Sequence, residues 1–136
     1  YYNNIKMKNT IFEIVKYTYY LSLIVLLILY LFPGSLIGFL LYSDLGKQPN
    51  FISNPIGTSI NHMIFFFYLS ILGYIICIKD KKLIFSFTFL ICASIFFELL
   101  HLIIPNRAFE FNDLFANSFG VILAFLIFNL MKKLIN

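Results

Sequence analysis

Charge is what this sequence has least of. Only 12% of its 136 residues are Asp, Glu, Lys or Arg, about half the roughly 25% typical of soluble domains. With 61% hydrophobic and 20% aromatic residues, a soluble domain of this length could not hide its apolar surface. Six glycines and four prolines are too few for a disordered or fibrous chain. The two cysteines, Cys77 and Cys92, stand inside apolar runs with no C-x-x-C or His-rich spacing. That pattern argues against a disulfide or zinc site and reads them as small buried hydrophobes. No G-x-S-x-G, Walker loop or H-E-x-x-H occurs, so the common nucleophile, phosphate-loop and metalloprotease mechanisms have no support. The formal charge of +4 comes from short clusters between apolar runs, not from one basic stripe. Lipid is therefore the expected partner, and nucleic acid is not.

Four apolar runs are present, approximately Ile14 to Phe32, Asn61 to Ile78, Leu83 to Ile104 and Leu114 to Met131. Each is close to the roughly 20 residues with which a helix crosses the hydrocarbon. In lipid the backbone must satisfy its own hydrogen bonds, and the runs are too long and too weakly alternating for barrel strands. The expected fold is all-α: a polytopic membrane protein with four transmembrane helices in one domain over residues 1–136. Pro33 and Gly34 should end the first helix and Pro105 the third. Between the first two helices, "SLIGFLLY" is too short to span and predicts an interfacial or re-entrant segment in the first outer loop. The stretch holding Pro49, Asn54, Pro55 and Gly57 reads as irregular turns.

Lys6, Lys8, Lys16, Lys79, Lys81, Lys82, Lys132 and Lys133 fall on one side of this topology, and only Lys47 and Arg107 on the other. The positive-inside rule then puts both termini in the cytoplasm and the protein in the cytoplasmic (inner) membrane. "YYNNIK" precedes Met7, which is a candidate natural start, with residues 1–6 a fragment or upstream read-through. "YLFPGSLIGF" offers no small-x-small cleavage site, so the first run is expected to be a retained anchor.

Most of the non-lysine charge gathers in "FELLHLIIPNRAFEFNDLFANSFG", residues 97–120. Ser94, Glu98 and His101 share a helix face by their spacing, as do Asp113, Asn117 and Gly120. Glu98, seven residues before Pro105, should lie about 10 Å below the helix end. A carboxylate at that depth is costly and is a site candidate by default. Ala116, Gly120 and Ala124 make a small-x-x-x-small ladder for close helix approach. The two polar faces are expected to meet, with Arg107 forking onto Glu98 or Asp113. Plainer readings stand beside these. Asn112 or Asp113 caps the last helix, Arg107 and Glu110 are solvated loop charges, and Glu98 and Asn117 are interhelical hydrogen-bond partners.

Glu98, His101, "PNR", Asp113 and "ANSFG" together resemble the VanZ-like family of small bacterial membrane proteins. Glu98, Pro105, Arg107, Asp113, Asn117 and Gly120 match that family's pattern, and His101 stands where Gln is usual. In "NHMIFFFYLSILG", aligned through Gly73, Asn61 replaces an Asp, His62 falls at a Lys position and Phe65 at a His. The resemblance covers about residues 60–127. It implies an envelope module, a named member of the family being associated with teicoplanin resistance.

The expected site is an outward-facing polar pocket of Glu98, His101, Arg107, Asp113 and Asn117 that binds an amphiphilic or lipid-linked ligand. The alternatives are an intramembrane enzyme on a lipid-linked glycan or headgroup, with Glu98 or Asp113 as general base, and a structural subunit of a larger membrane complex. A metal held by Glu98, His101 and Asp113 has only the weak Glu-x-x-His signal behind it. The expectation is therefore no metal and no cofactor.

Overall fold

The computed structural model describes residues 2–49, 57–77 and 83–135. The expected turns at Asn54 and Pro55 and the basic cluster Lys79, Lys81 and Lys82 lie outside the described residues. Five helices follow in order: α1 (Tyr2–Leu31), α2 (Leu36–Tyr42), α3 (Gly57–Cys77), α4 (Leu83–Leu100) and α5 (Phe111–Ile135). Four of them are long and apolar enough to cross a membrane, over Asn9–Leu31, Ser59–Cys77, Leu83–Leu100 and Phe111–Leu134. The shortest, at 18 residues, is about 27 Å long at 1.5 Å per residue, close to the roughly 30 Å hydrocarbon thickness.

Two boundaries differ from the sequence expectation. α1 starts well before Ile14, because residues 2–13 contain no glycine or proline to interrupt it. α4 stops at Leu100, not at Ile104. Its end tightens into i→i+3 bonds, His101 N–H to Glu98 C=O (3.1 Å), Leu102 to Leu99 (3.1 Å) and Ile103 to Leu100 (3.0 Å), a common way for a helix to satisfy its last carbonyls. Glu98 therefore stands in the last turn of α4 rather than 10 Å below the helix end.

Contacts between side chains set the directions. Tyr30 meets His62 and Ser22 meets Tyr68, so α1 and α3 run antiparallel. Glu98 meets Glu110 and Phe87 meets Phe125, so α4 and α5 do too. Ser59 meets Asp113 and Tyr74 meets Val121, which makes α3 and α5 parallel neighbours. This last interface is the most extensive in the bundle. Gly120 explains its closeness: a Cβ there would come within 2.4 Å of the Met63 carbonyl. The close helix approach expected of the small-residue ladder is thus made at Gly120, against α3.

The core consists of Phe66, Leu69, Tyr74, Leu90, Val121 and Ala124, all fully buried. Outward positions are equally apolar, among them Ile84, Phe85, Phe119 and Leu134, as suits a surface solvated by acyl chains. The reading of the cysteines as buried is corrected by this. Cys77 is half-buried and Cys92 is exposed, both as free thiols, since a lipid-facing position accepts a small hydrophobe as readily as the core.

α2 bears out the short segment in the first loop. Ser35 caps it by accepting the Gly38 N–H at 2.9 Å, and Ser43 ends it in the left-handed region (φ 55°). The chain then folds back so closely that a Cβ on Gly38 would overlap the Lys47 carbonyl. Ile37, Phe39, Leu40 and Leu41 remain exposed, giving α2 an apolar side suited to an interfacial position.

Candidate functional site

The polar side chains converge at the end of the bundle where α1 and α4 finish and α3 and α5 begin. α1 contributes Tyr30, α3 contributes Ser59 and His62, α4 contributes Glu98, the turn after it His101, and α5 contributes Asp113 and Asn117. Glu98 and Asn117 are fully buried, and His101 and Asp113 are 4% and 5% exposed. Burial of so many polar groups is tolerated only when they are hydrogen-bonded or paired.

Tyr30 is the hub. Its hydroxyl donates to Asn117 Oδ1 at 3.1 Å and lies 2.7 Å from His62 Nδ1. With that proton directed at Asn117, His62 Nδ1–H donates to the Tyr30 oxygen. The other ring nitrogen, His62 Nε2, is 3.5 Å from Asp113 Oδ2. Asp113 Oδ1 accepts the Ser59 hydroxyl at 2.5 Å. Glu98 Oε1 accepts the Glu110 backbone N–H at 3.2 Å and lies 3.3 Å from His101 Nδ1. The His101 ring stacks on Tyr30, centroids 5.1 Å apart.

Two sequence expectations are corrected here. Asp113 does not cap α5: the helix begins at Phe111, and the carboxylate turns toward α3, where Ser59 donates its hydroxyl and His62 Nε2 lies 3.5 Å away. Its charge still lies in the first turn, where the helix dipole favours it. Asp113 and Asn117 hydrogen-bond to α3 and α1, while one Asp113 oxygen also comes within 4.8 Å of a Glu98 oxygen on α4. The direct α4–α5 polar contacts are Ser94 to Ser118 at 3.4 Å and Glu98 to the start of α5. Arg107 forks onto neither carboxylate. Its NH2 donates to the Leu29 carbonyl at 2.7 Å and its Nε to the Phe32 carbonyl at 3.4 Å. These are acceptors at the end of α1, where a cation is favoured.

Sequence reasoning missed Tyr30, Ser59 and His62 as site residues. Ser59 and His62 had a usable signal, an i, i+3 polar pair at the start of an apolar run. Tyr30 had none, being one of nine tyrosines.

A cavity of about 130 Å³ opens beside this network. Tyr30, Asn61, His62, His101 and Arg107 form its polar wall, while Leu26, Leu29, Leu36, Ile37 and Phe65 form the apolar one. Two atoms at this wall, Asn61 Oδ1 and His101 Nε2, are buried and have no hydrogen-bond partner among the described residues. Partial burial lowers the Arg107 pKa from its ordinary value, opposed by Tyr30, Glu98 and Asp113. Desolvation, then the Asp113 and Glu98 charges, raises the Glu110 pKa from its ordinary value.

The cavity can accept hydrogen-bonding groups on one side and hydrocarbon on the other, next to a permanent cation. Among known proteins, the family model described as VanZ/LLP1 matches residues 6–132. No curated protein and no solved structure matches the chain.

Proposed function

The chain belongs to the VanZ/LLP1 family, and from that premise and the cavity we propose that it holds the anionic headgroup of an amphiphile, such as a lipid-linked precursor, in the cell envelope and so contributes to resistance to teicoplanin-type glycopeptides. The observation that carries this reading is the pair of unpartnered buried acceptors, Asn61 Oδ1 and His101 Nε2, at the wall shared with Arg107. An unpaired buried polar group costs about 1–3 kcal/mol, and a headgroup with hydroxyl or amide donors offsets that cost. Arg107 spends donors on two carbonyls out of the five a guanidinium carries. Leu29, Ile37 and Phe65 suit the first carbons of an acyl or polyprenyl chain.

Size decides between ligands. About 130 Å³ is a few times the roughly 30 Å³ share of one water and well below the ~300 Å³ of the smaller drug-sized sites. A headgroup fits, whereas a glycopeptide does not. Resistance would then act through the lipid-linked target and not by enclosing the antibiotic. The basic residues of the chain favour an outward-facing cavity, since Lys132 and Lys133 end α5 at the opposite end of the bundle.

Lipid mass spectrometry of protein purified in mild detergent tests the reading. An anionic amphiphile should be retained by the wild type and lost from Arg107→Gln, together with any teicoplanin protection of the host. Retention of no such molecule, or equal retention by the variant, sinks it. A second reading, catalysis on the bound headgroup, is favoured by an imidazole, His62, lining the cavity beside the Asp113 carboxylate, since histidine is the commonest general base. Conversion of the retained amphiphile to a new product on incubation would distinguish it from holding alone.

A further inference from the structure

Glu98 and Asp113 are buried together at one end of the bundle, and the nearest permanent cation does not pair with either. Arg107, the single arginine of the chain, is hydrogen-bonded to the α1 carbonyls. Two buried carboxylates within reach of one another cannot both stay ionised unless a positive charge compensates them; otherwise one holds a proton. His62 completes the group, and one donor atom from each of His62, Glu98 and Asp113 lies within 4.8 Å of the others.

We propose that His62, Glu98 and Asp113 form a binding site for one divalent cation of the Zn²⁺ or Mn²⁺ class. A point exists within about 2.8 Å of all three donor atoms so spaced, against roughly 2.0–2.2 Å for the nitrogen and oxygen ligands of zinc. Closing the site needs side-chain shifts of well under an ångström. The ligands come from α3, α4 and α5, so the bundle itself sets their separation.

Electron pairs are available at each position. Glu98 is fully buried, and its Oε2 has no partner among the described residues, while Oε1 is held by the Glu110 N–H. Asp113 Oδ1 is held by Ser59, which leaves Oδ2 beside His62. His62 Nδ1 is held by Tyr30, which leaves the Nε2 lone pair on the Asp113 side at 3.5 Å. Two lone pairs aimed at one another are unfavourable until a proton or a metal cation sits between them, and a metal also engages the free Glu98 oxygen. Each ligand is thus oriented by a hydrogen bond on its other polar atom, the usual outer support of metal ligands.

Ligand chemistry narrows the ion. One imidazole with two carboxylates is borderline, poor for Cu⁺ and less suited to Ca²⁺ or Mg²⁺, which take all-oxygen sets. Three protein ligands leave coordination positions open. His62 also lines the cavity, so the site lies directly behind the cavity wall. The inference does not rest on the headgroup reading, and its test uses no amphiphile.

The test is performed on the full chain in detergent, stripped with a chelator and then titrated with Zn²⁺, Mn²⁺ and Co²⁺. Wild type should retain about one equivalent of Zn²⁺ or Mn²⁺ after desalting and show a Co²⁺ visible spectrum with nitrogen and oxygen ligation. It should also melt about 5 °C or more higher at a hundredfold excess over Kd. Glu98→Gln and Asp113→Asn, which keep side-chain shape, should weaken binding at least about a hundredfold, beyond the 10–100-fold typical of outer-shell changes. His62→Gln should abolish the Co²⁺ spectrum. Absence of stoichiometric metal and of any Co²⁺ spectrum in the wild type overturns the proposal, whatever the variants do. Binding that survives unchanged in Glu98→Gln and Asp113→Asn overturns it as well, assigning the metal to adventitious surface groups.

Discussion

The phenol ring of Tyr30 lies nearly flat on the imidazole of His101, with centroids 5.1 Å apart and planes 15° from parallel. The same residue joins His62 and Asn117 through its hydroxyl, so one side chain from α1 ties together the turn after α4 and two further helices. Its ring and its hydroxyl are separable by mutation. Tyr30→Phe keeps the stack but leaves His62 Nδ1 and Asn117 Oδ1 buried without partners. The expected loss is about 1–3 kcal/mol of stability, read as a lower melting temperature in detergent. Tyr68→Phe is the control: its hydroxyl meets Ser22 at 3.3 Å on a more exposed residue, and little change is expected. Equal effects from the two substitutions would contradict the hub role of Tyr30.

Gly120→Ala should be more damaging than its single added methyl suggests. The new carbon would meet the Met63 carbonyl at 2.4 Å and the Phe67 nitrogen at 3.0 Å, both backbone atoms of α3. A rotamer change cannot relieve that, so the helices must separate. Overpacking of this kind costs about 1–3 kcal/mol or more. Gly46→Ala, where the nearest atom is 3.5 Å away on an exposed side chain, should be tolerated. Thermal unfolding of both variants in one detergent checks the contrast.

How far the sequence revealed this arrangement depended on which physical rule governed each part. The spanning helices and α2 were legible because hydrocarbon thickness and backbone satisfaction leave few alternatives. The membership of Glu98, His101, Asp113 and Asn117 in one buried group was legible because charge is costly in lipid. Their partners were not. Spacing along one helix shows which residues share a face but not every neighbour that face meets, so the bonds of Asp113 to Ser59 on α3 and of Asn117 to Tyr30 on α1 did not show in the spacing. Tyr30 was invisible for a related reason, since only the fold shows which of nine tyrosines points inward. The end of α4 was misplaced because Pro105 marks the last position at which a helix can stop and not the first.

Orientation in the membrane is open to a direct measurement. In a background with Cys77 and Cys92 replaced, Ala108→Cys and Lys133→Cys place single thiols at exposed positions on opposite ends of the bundle. The bias of basic residues predicts labelling of Ala108→Cys, and not Lys133→Cys, by an impermeant reagent on intact cells. The reverse pattern would turn the cavity toward the cytoplasm and remove the envelope ligand from consideration.

The last prediction concerns Glu98 and Arg107, which the sequence suggested as an ion pair. A buried pair broken by removing one partner would cost about 3–5 kcal/mol, and a double-mutant cycle would recover a coupling of several kcal/mol. The structure gives the two residues separate partners instead: Arg107 holds the Leu29 and Phe32 carbonyls, and Glu98 holds the Glu110 N–H. Each single substitution should therefore destabilise through its own contacts. Arg107→Gln should loosen the end of α1 by about 1.5–3 kcal/mol, the range of a charge-assisted hydrogen bond, with Arg107→Lys intermediate because it lacks the fork. Glu98→Gln, which keeps shape and an acceptor oxygen, should cost less. Their coupling in the Arg107→Gln, Glu98→Gln cycle should stay below about 1 kcal/mol, since what remains between them is through-space attraction and not a contact. A measured coupling above about 3 kcal/mol would restore the direct pair and remove the uncompensated carboxylate on which the cation site depends. Near-additivity would leave Glu98 and Asp113 to be compensated by a proton or by another positive charge, and a cation bound with His62 is placed to supply the latter.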